Sequence, residues 1–284
     1  MSPPRQLGYR GGVIRLVATD LDGTLLRPDQ TVSARTRAAL AAVRQAGITL
    51  VLVTGRPPRG LDGIAAATGV GGVAICANGA VLYDLDAGVV LDQRPLAAAA
   101  TTRLVATLRA AIPGALFAVE LEAGFRREAG WEPSGLSVGG QVVAADAELA
   151  TAPVAKLLVR HPDLTAPELA RLAATAAGHD AVVTWSGDRL IELSAAGVTK
   201  ATALQRLCRR LGIPREQVIA FGDMPNDLAM LAWAGHSVAV ANAQLEVREA
   251  ADEVTASNVE DGVAVVLERI VEAGPSTPAR SNAR

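Results

Sequence analysis

Aromatic side chains are nearly absent from this sequence: three Phe, three Trp and two Tyr among 284 residues. Its core must therefore be packed from Ala, Val, Leu and Ile. Cysteine is as scarce. Cys76 and Cys208 lie far apart and neither belongs to a CxxC pair, so two buried, reduced thiols of a cytoplasmic protein are expected rather than a disulfide framework. His161, His179 and His236 are scattered without metal-ligand spacing. No apolar run approaches the roughly 18 residues that a bilayer crossing requires. The opening MSPPRQLGYRGG lacks the apolar segment of a secretion signal and reads as a loose tail. Basic charge is not in excess either: the formal net charge is −2, without the basic stripe that nucleic-acid binding usually shows. A membrane and a nucleic acid are thus not expected partners.

What is present is globular composition, half hydrophobic and one fifth charged, in a chain long enough for one large domain or two ordinary ones. VIRLVAT, ITLVLVTG and GVAICANG are short apolar runs without alternation. Between them, TVSARTRAALAAVRQAG and residues 58–68 carry helical patterns. Buried strands separated by helices predict a parallel sheet covered by helices, with its ligand crevice beyond the carboxyl ends of the strands. All three runs end on polar residues or Gly: Asp20, Thr54–Gly55 and Asn78–Gly79. From about residue 84 hairpin patterns mix with helices, which predicts an α+β segment. The strand–helix alternation resumes at Lys200 with a helix over 200–211, the strand QVIAFG, a helix over 225–234 and the strand HSVAVAN. Further helices follow at 244–250 and 260–272. The expected organisation is a tail at 1–12, a discontinuous α/β core at 13–83 and 191–273, an inserted domain at 84–190, and a disordered tail at 274–284.

The chemistry sits at the strand ends. In extended backbone, side chains two positions apart project to the same side, so Asp20 and Asp22 should face one crevice. Close carboxylates cannot both stay ionised unless a cation intervenes. FGDMPNDLAM places Asp223 and Asp227 at a later strand end, with Asn226 between them. Aspartates without His or Cys suit a hard cation, and Mg2+ is the expected one. Lys200 opens a helix, where an ammonium opposes the positive helix end, so it should serve an anion or these carboxylates. Any one of these residues alone reads as a turn former, an N-cap or a solvated charge. Their convergence on one crevice is the signal.

DLDGTLL, VTGR, the Lys200 segment and GDMPNDLAM resemble, in order, the four motifs of the haloacid dehalogenase superfamily. CANGA, SVAVANA and ASNVEDGVA are similar to its Cof-like subfamily of capped phosphatases. The resemblance covers about residues 13–272. It implies a Rossmann-like core with a large inserted α/β cap and an Mg2+-dependent hydrolysis of phosphate monoesters through an aspartyl phosphate. Carried over, Asp20 resembles the nucleophile and Asp22 the general acid/base. Asp223, Asp20 and the Asp22 carbonyl resemble the metal ligands, and Asp227 either a ligand or an orienting group. Leu21, Thr54, Gly55, Lys200 and Asn226 resemble the phosphate cradle. Arg56, Asn78 and Gly79 are candidate substrate contacts, as are Trp131, Arg126, Arg127, Trp185 and Arg189 in the inserted segment. A dehalogenase needs no second acid, so Asp22 argues against it. A phosphomutase, or a sugar-phosphate-binding regulator without turnover, remain alternatives. The substrate expected is a sugar phosphate, or a phosphorylated cofactor such as pyridoxal phosphate or flavin mononucleotide.

Overall fold

A computed structural model describes residues 13–122, 124–132, 140–143 and 145–273. The two expected tails and part of the Gly- and Pro-containing stretch lie outside these residues. The fold contains two sheets. The larger takes β1 (Leu16–Thr19), β2 (Thr49–Val53), β3 (Val73–Cys76), β4 (Val81–Asp84) and β5 (Val89–Gln93) from the first third of the chain. From the last third it takes β12 (Val218–Gly222), β13 (His236–Ala239) and β14 (Glu253–Val254). Its order is β14-β13-β12-β1-β2-β3-β4-β5, parallel from β14 to β3 and antiparallel beyond. The continuous apolar runs of β1 and β12 are buried on both faces, as a parallel interior requires. The covering helices include α1 (Ala34–Gln45), packed on α9 (Gly262–Ala273), and α6 (Lys200–Leu211), packed on α7 (Leu228–Trp233). The short α2 (Ile64–Thr68) and α8 (Leu245–Ala250) complete this layer.

The second sheet is built from β6 (Leu116–Leu121), β7 (Gly124–Glu128), β8 (Gln141–Val143), β9 (Lys156–Arg160), β10 (Ala181–Trp185) and β11 (Ile191–Ala195), in the order β10-β11-β9-β6-β7-β8. Helices α3 (Ala98–Ala111) and α5 (Ala166–Ala177) pack on it, with a single turn α4 (Asp146–Leu149) beside them. This is the cap on the Rossmann-like core. Its limits differ from the expected 84 and 190. The hairpin β4–β5 pairs onto β3 and extends the core sheet, and β11 belongs to the cap sheet. The crossings therefore fall near 94 and 196. A hairpin looks the same locally whichever sheet its outer strand joins, so sequence texture alone misplaces the boundary.

Strand pleating divides the cap sheet cleanly. Phe117 and Val119, Leu157 and Val159, Ile191 and Leu193 pack in the hydrophobic layer with Leu104, Leu108 and Leu169 of α3 and α5. The alternate residues Glu120, Lys156, Leu158, Arg160 and Glu192 line a cavity between cap and core.

Candidate active site

β1, β2 and β12 are neighbours, and their carboxyl ends bring the polar residues together. Asp20 extends the ladder by one step, its N–H donating to Phe221 O at 3.1 Å. The chain then turns tightly: Leu21 O accepts from the N–H groups of Leu25 and Leu26 at 3.0 and 2.8 Å. Gly23 makes this turn at φ +81°, and a Cβ there would sit 2.2 Å from Asp223 Oδ2. Only glycine lets the two loops meet, and Thr24 Oγ1 closes the contact by donating to Asp223 Oδ1 at 2.6 Å.

Lys200 is the first residue of α6, behind the N-cap Thr199, whose hydroxyl accepts from Thr202 N at 3.1 Å. Its side chain is fully buried and donates to Asp20 Oδ1 at 2.5 Å and Asp227 Oδ1 at 2.7 Å. Burial works against that charge, but the two carboxylates outweigh it and hold the ammonium above its ordinary pKa. The other Asp227 oxygen accepts from the N–H groups of Asp223 and Met224 at 3.1 and 3.2 Å. Both oxygens of Asp227 are thus engaged in orienting Lys200 and the loop after β12.

Asp20, Asp223 and Asp227 are buried and offer carboxylate oxygens within 4.8 Å of one another. Burial pushes Asp20 well above its ordinary pKa; Lys200 pulls it back, and Asp227 and Asp223 push it up again. Burial and then Asp227 push Asp223 up to about 7. A cluster of three buried acids balanced by one ammonium is short of positive charge, and its all-oxygen donor set fits a divalent cation.

Above this cluster lies a cavity of about 240 Å³. Asp20, Asp22, Gly55, Arg56 and Asn226 line its core end. Asp22 is half exposed and gripped by Arg56. Other sequence candidates sit elsewhere. Thr54 is buried behind the wall, its hydroxyl accepting from Arg56 N at 3.0 Å. The candidate substrate contacts Asn78 and Gly79 do not line this cavity. Asn78 Nδ2 donates to Glu192 Oε2 at 2.9 Å, and its Oδ1 accepts from Asn226 Nδ2 at 3.1 Å. A Cβ at Gly79 would lie 2.2 Å from Thr199 O, so this glycine lets β3 approach the start of α6.

The cap contributes residues that motif reasoning missed. Lys156 Nζ donates to Gly55 O at 2.7 Å and pairs with Glu192. Arg59 forks onto Glu120 at 3.0 and 2.6 Å. Phe125, Trp131, Leu158 and Arg160 line the far end. Among the cap candidates, Trp131 reaches the cavity and the rest do not. Arg127 donates to Trp131 O at 2.9 Å from behind, and Arg126 bonds Glu148 O at 3.2 Å. Trp185 packs against the helix-side layer, and Arg189 donates to Pro162 O at 2.9 Å. The missed signal was a charge inside an apolar strand, as in VAKLLVRH. Burial pushes the Cys76 and Cys208 thiols up to about 12 and about 11, so neither offers a thiolate.

A parallel α/β core with a strand-end acid cluster, covered by an inserted cap, defines a capped hydrolase. The chain belongs to the haloacid dehalogenase-like hydrolases, whose family model matches residues 17–267. It is 29% identical over 261 residues to the 5-amino-6-(5-phospho-D-ribitylamino)uracil phosphatase YcsE of Bacillus subtilis, covering 89% of this chain and 94% of that one. It is 31% identical over 264 residues to the pyridoxal phosphate phosphatase YbhA of Escherichia coli, covering 88% and 96%. A solved haloacid dehalogenase-like hydrolase from Bacteroides thetaiotaomicron superimposes with a TM-score of 0.73 at 30% identity, over 90% of this chain and 99% of that one. The protein is thus an enzyme of the phosphoric monoester hydrolase class. Among the described residues no helix is long and apolar enough to cross a membrane.

Proposed function

We propose that this protein is an Mg2+-dependent phosphatase of a small phosphorylated metabolite, a sugar phosphate or a phosphorylated cofactor, working through an aspartyl phosphate on Asp20. The observation that carries the reading is the placement of Asp20: pinned by Lys200 at 2.5 Å, beside Asp223, at the floor of a cavity whose rim holds Asp22. The names of the two relatives, phosphatases of a ribitylaminouracil phosphate and of pyridoxal phosphate, support a small-molecule ester.

Asp20, Asp223 and the backbone carbonyl of Asp22 would hold the cation, while Asp227 orients Lys200. Bound there, Mg2+ supplies positive charge that offsets the repulsion between a carboxylate and a phosphate dianion. The remaining work belongs to the chain. Asp20 attacks phosphorus as its bond to the ester oxygen breaks, and Asp22 gives its proton to the departing alkoxide. Asp22, now a carboxylate, takes a proton from water, whose oxygen attacks the same phosphorus. The Asp20–phosphorus bond breaks, returning both aspartates and releasing alcohol and inorganic phosphate. Splitting a very slow hydrolysis into two displacements lowers each barrier. Thr54, Gly55, Lys200 and Asn226 would hold the phosphate oxygens, and Gly55 and Asn226 line the cavity.

The test is release of p-nitrophenol from p-nitrophenyl phosphate with and without Mg2+, in wild type and Asp20→Asn. Mg2+-dependent release that the variant lacks is expected. Release no greater than the variant's would sink the reading.

A further inference from the structure

Two stretches singled out in the sequence, SVAVANA and ASNVEDGVA, supply no residue to the cavity wall. Each carries one asparagine, Asn242 in the loop after β13 and Asn258 in the loop after β14. The two bond each other and the loop that follows β1. Asn242 Oδ1 accepts from Asn258 N at 2.9 Å, and Asn242 Nδ2 donates to Gly23 O at 2.7 Å. Asn258 Nδ2 donates to Leu26 O at 2.8 Å. A backbone N–H only donates and a carbonyl only accepts, so these partners fix which way both amides point.

The turn that carries Asn242 also reaches the second acid loop, where Gln244 N donates to Asp223 O at 3.0 Å. It therefore bonds the backbone of both loops whose acids form the cluster. The segment around Asn258 grips the far end of the first loop as well, Asp261 pairing with Arg27 at 3.0 Å. Asn242 itself is exposed. Water competes for the bonds of an exposed amide, so they add little to stability. What they do add is position. Gly23 is the least restrained residue of its loop, and it lies directly after Asp22. A bond to its carbonyl removes that freedom beside the Asp22 carbonyl, on the side of the loop that touches Asp223 through Thr24.

We propose that Asn242 is a positioning residue for the cation site. Backed by Asn258, it locks the Gly23 carbonyl so that the Asp22 carbonyl and the Asp223 carboxylate are presented together. This rests on the Mg2+-dependent phosphatase reading and extends it to two residues outside the cavity.

The test takes wild type, Asn242→Ala and Asn258→Ala through two measurements. One is the Mg2+ concentration at half of the Mg2+-induced rise in Tm, and the other is kcat and KM for p-nitrophenyl phosphate at saturating Mg2+. Asn242→Ala should raise that concentration about tenfold and lower kcat about tenfold, with KM unchanged within about twofold. Asn258→Ala keeps the backbone N–H to Asn242 and releases Leu26 O. It should move both quantities the same way, by about threefold. A role in local stability alone would lower Tm in EDTA and leave the Mg2+ midpoint and kcat within about twofold. That result overturns the inference, as does the absence of any Mg2+-induced rise in wild type. If wild type shows the rise but hydrolyses no ester, the phosphatase reading fails alone. The Mg2+ midpoints of the variants then decide the inference: a tenfold shift in Asn242→Ala supports it, and an unchanged midpoint overturns it.

Discussion

Arg56 holds Asp22 through two parallel hydrogen bonds, Nε to Oδ2 at 2.7 Å and Nη2 to Oδ1 at 2.5 Å. The Asp22 side chain is 48% exposed, so the fork rather than packing fixes its direction. A lysine keeps the charge and loses the fork. Arg56→Lys should therefore lower kcat for p-nitrophenyl phosphate about tenfold and change KM less. Stability should fall as well, since the Arg56 side chain is only 13% exposed and also donates to Gly60 O at 3.0 Å. An unchanged kcat would mean that Asp22 finds its position without the fork.

The metal-free acid cluster predicts an unusual pH dependence. Asp223 has an ordinary pKa of 3.8 and is pushed up to about 7 by burial and Asp227. The folded state holds this proton more tightly than the unfolded one. Its contribution to stability is full below about pH 3.8 and is lost as the pH rises through 7. A divalent cation must displace that proton, so its stabilising effect should grow over the same range. Thermal melts with EDTA and with saturating Mg2+ check this. The Mg2+-induced rise in Tm should be larger at pH 8 than at pH 5, and equal shifts would contradict it.

The core half of the site was legible in the sequence because each polar residue ends an apolar run: Asp20 after LVAT, Gly55 after TLVLVT, Asp223 after VIAFG. Parallel strands put their carboxyl ends on one edge of the sheet, and the adjacency of β12, β1 and β2 brings these three together. The cap half was not legible. Glu120, Lys156 and Glu192 lie on three strands joined as β11-β9-β6, an order that no local pattern specifies. Alternation does mark them once the pairing is known, and the same alternation turns Trp185 to the helix side.

Asp20→Asn separates function from stability. The carboxylate is disfavoured by burial and by its acidic neighbours, though Lys200 compensates in part. The amide keeps the shape and removes a charge from the cluster. Phosphatase turnover should fall at least a thousandfold, while Tm in EDTA stays equal or rises, as at sites where activity and stability conflict. A marked fall in Tm would show that the Lys200–Asp20 pair stabilises the fold more than the acid cluster strains it.

Lys156 ties cap to core. Its Nζ donates to Gly55 O at 2.7 Å and pairs with Glu192, whose Oε2 accepts from Asn78 Nδ2 at 2.9 Å. A carboxylate can only accept, so the Asn78 amide nitrogen must face Glu192. Its oxygen then takes the Asn226 amide at 3.1 Å. The chain of bonds thus runs from the cap sheet to the loops after β2 and β12. Burial opposes the Glu192 charge, but Lys156 and the hydrogen bonds outweigh it and lower its pKa. The tie is therefore present at neutral pH and lost as the pH falls below the ordinary carboxylate range. Lys156→Met or Glu192→Leu alone leaves a buried charge unmatched and should cost about 3–5 kcal/mol. Lys156→Met with Glu192→Leu removes both charges and should cost less than the sum of the single changes, by about 1–3 kcal/mol. Urea denaturation of the variants measures this coupling, and strict additivity would mean that the two residues act independently.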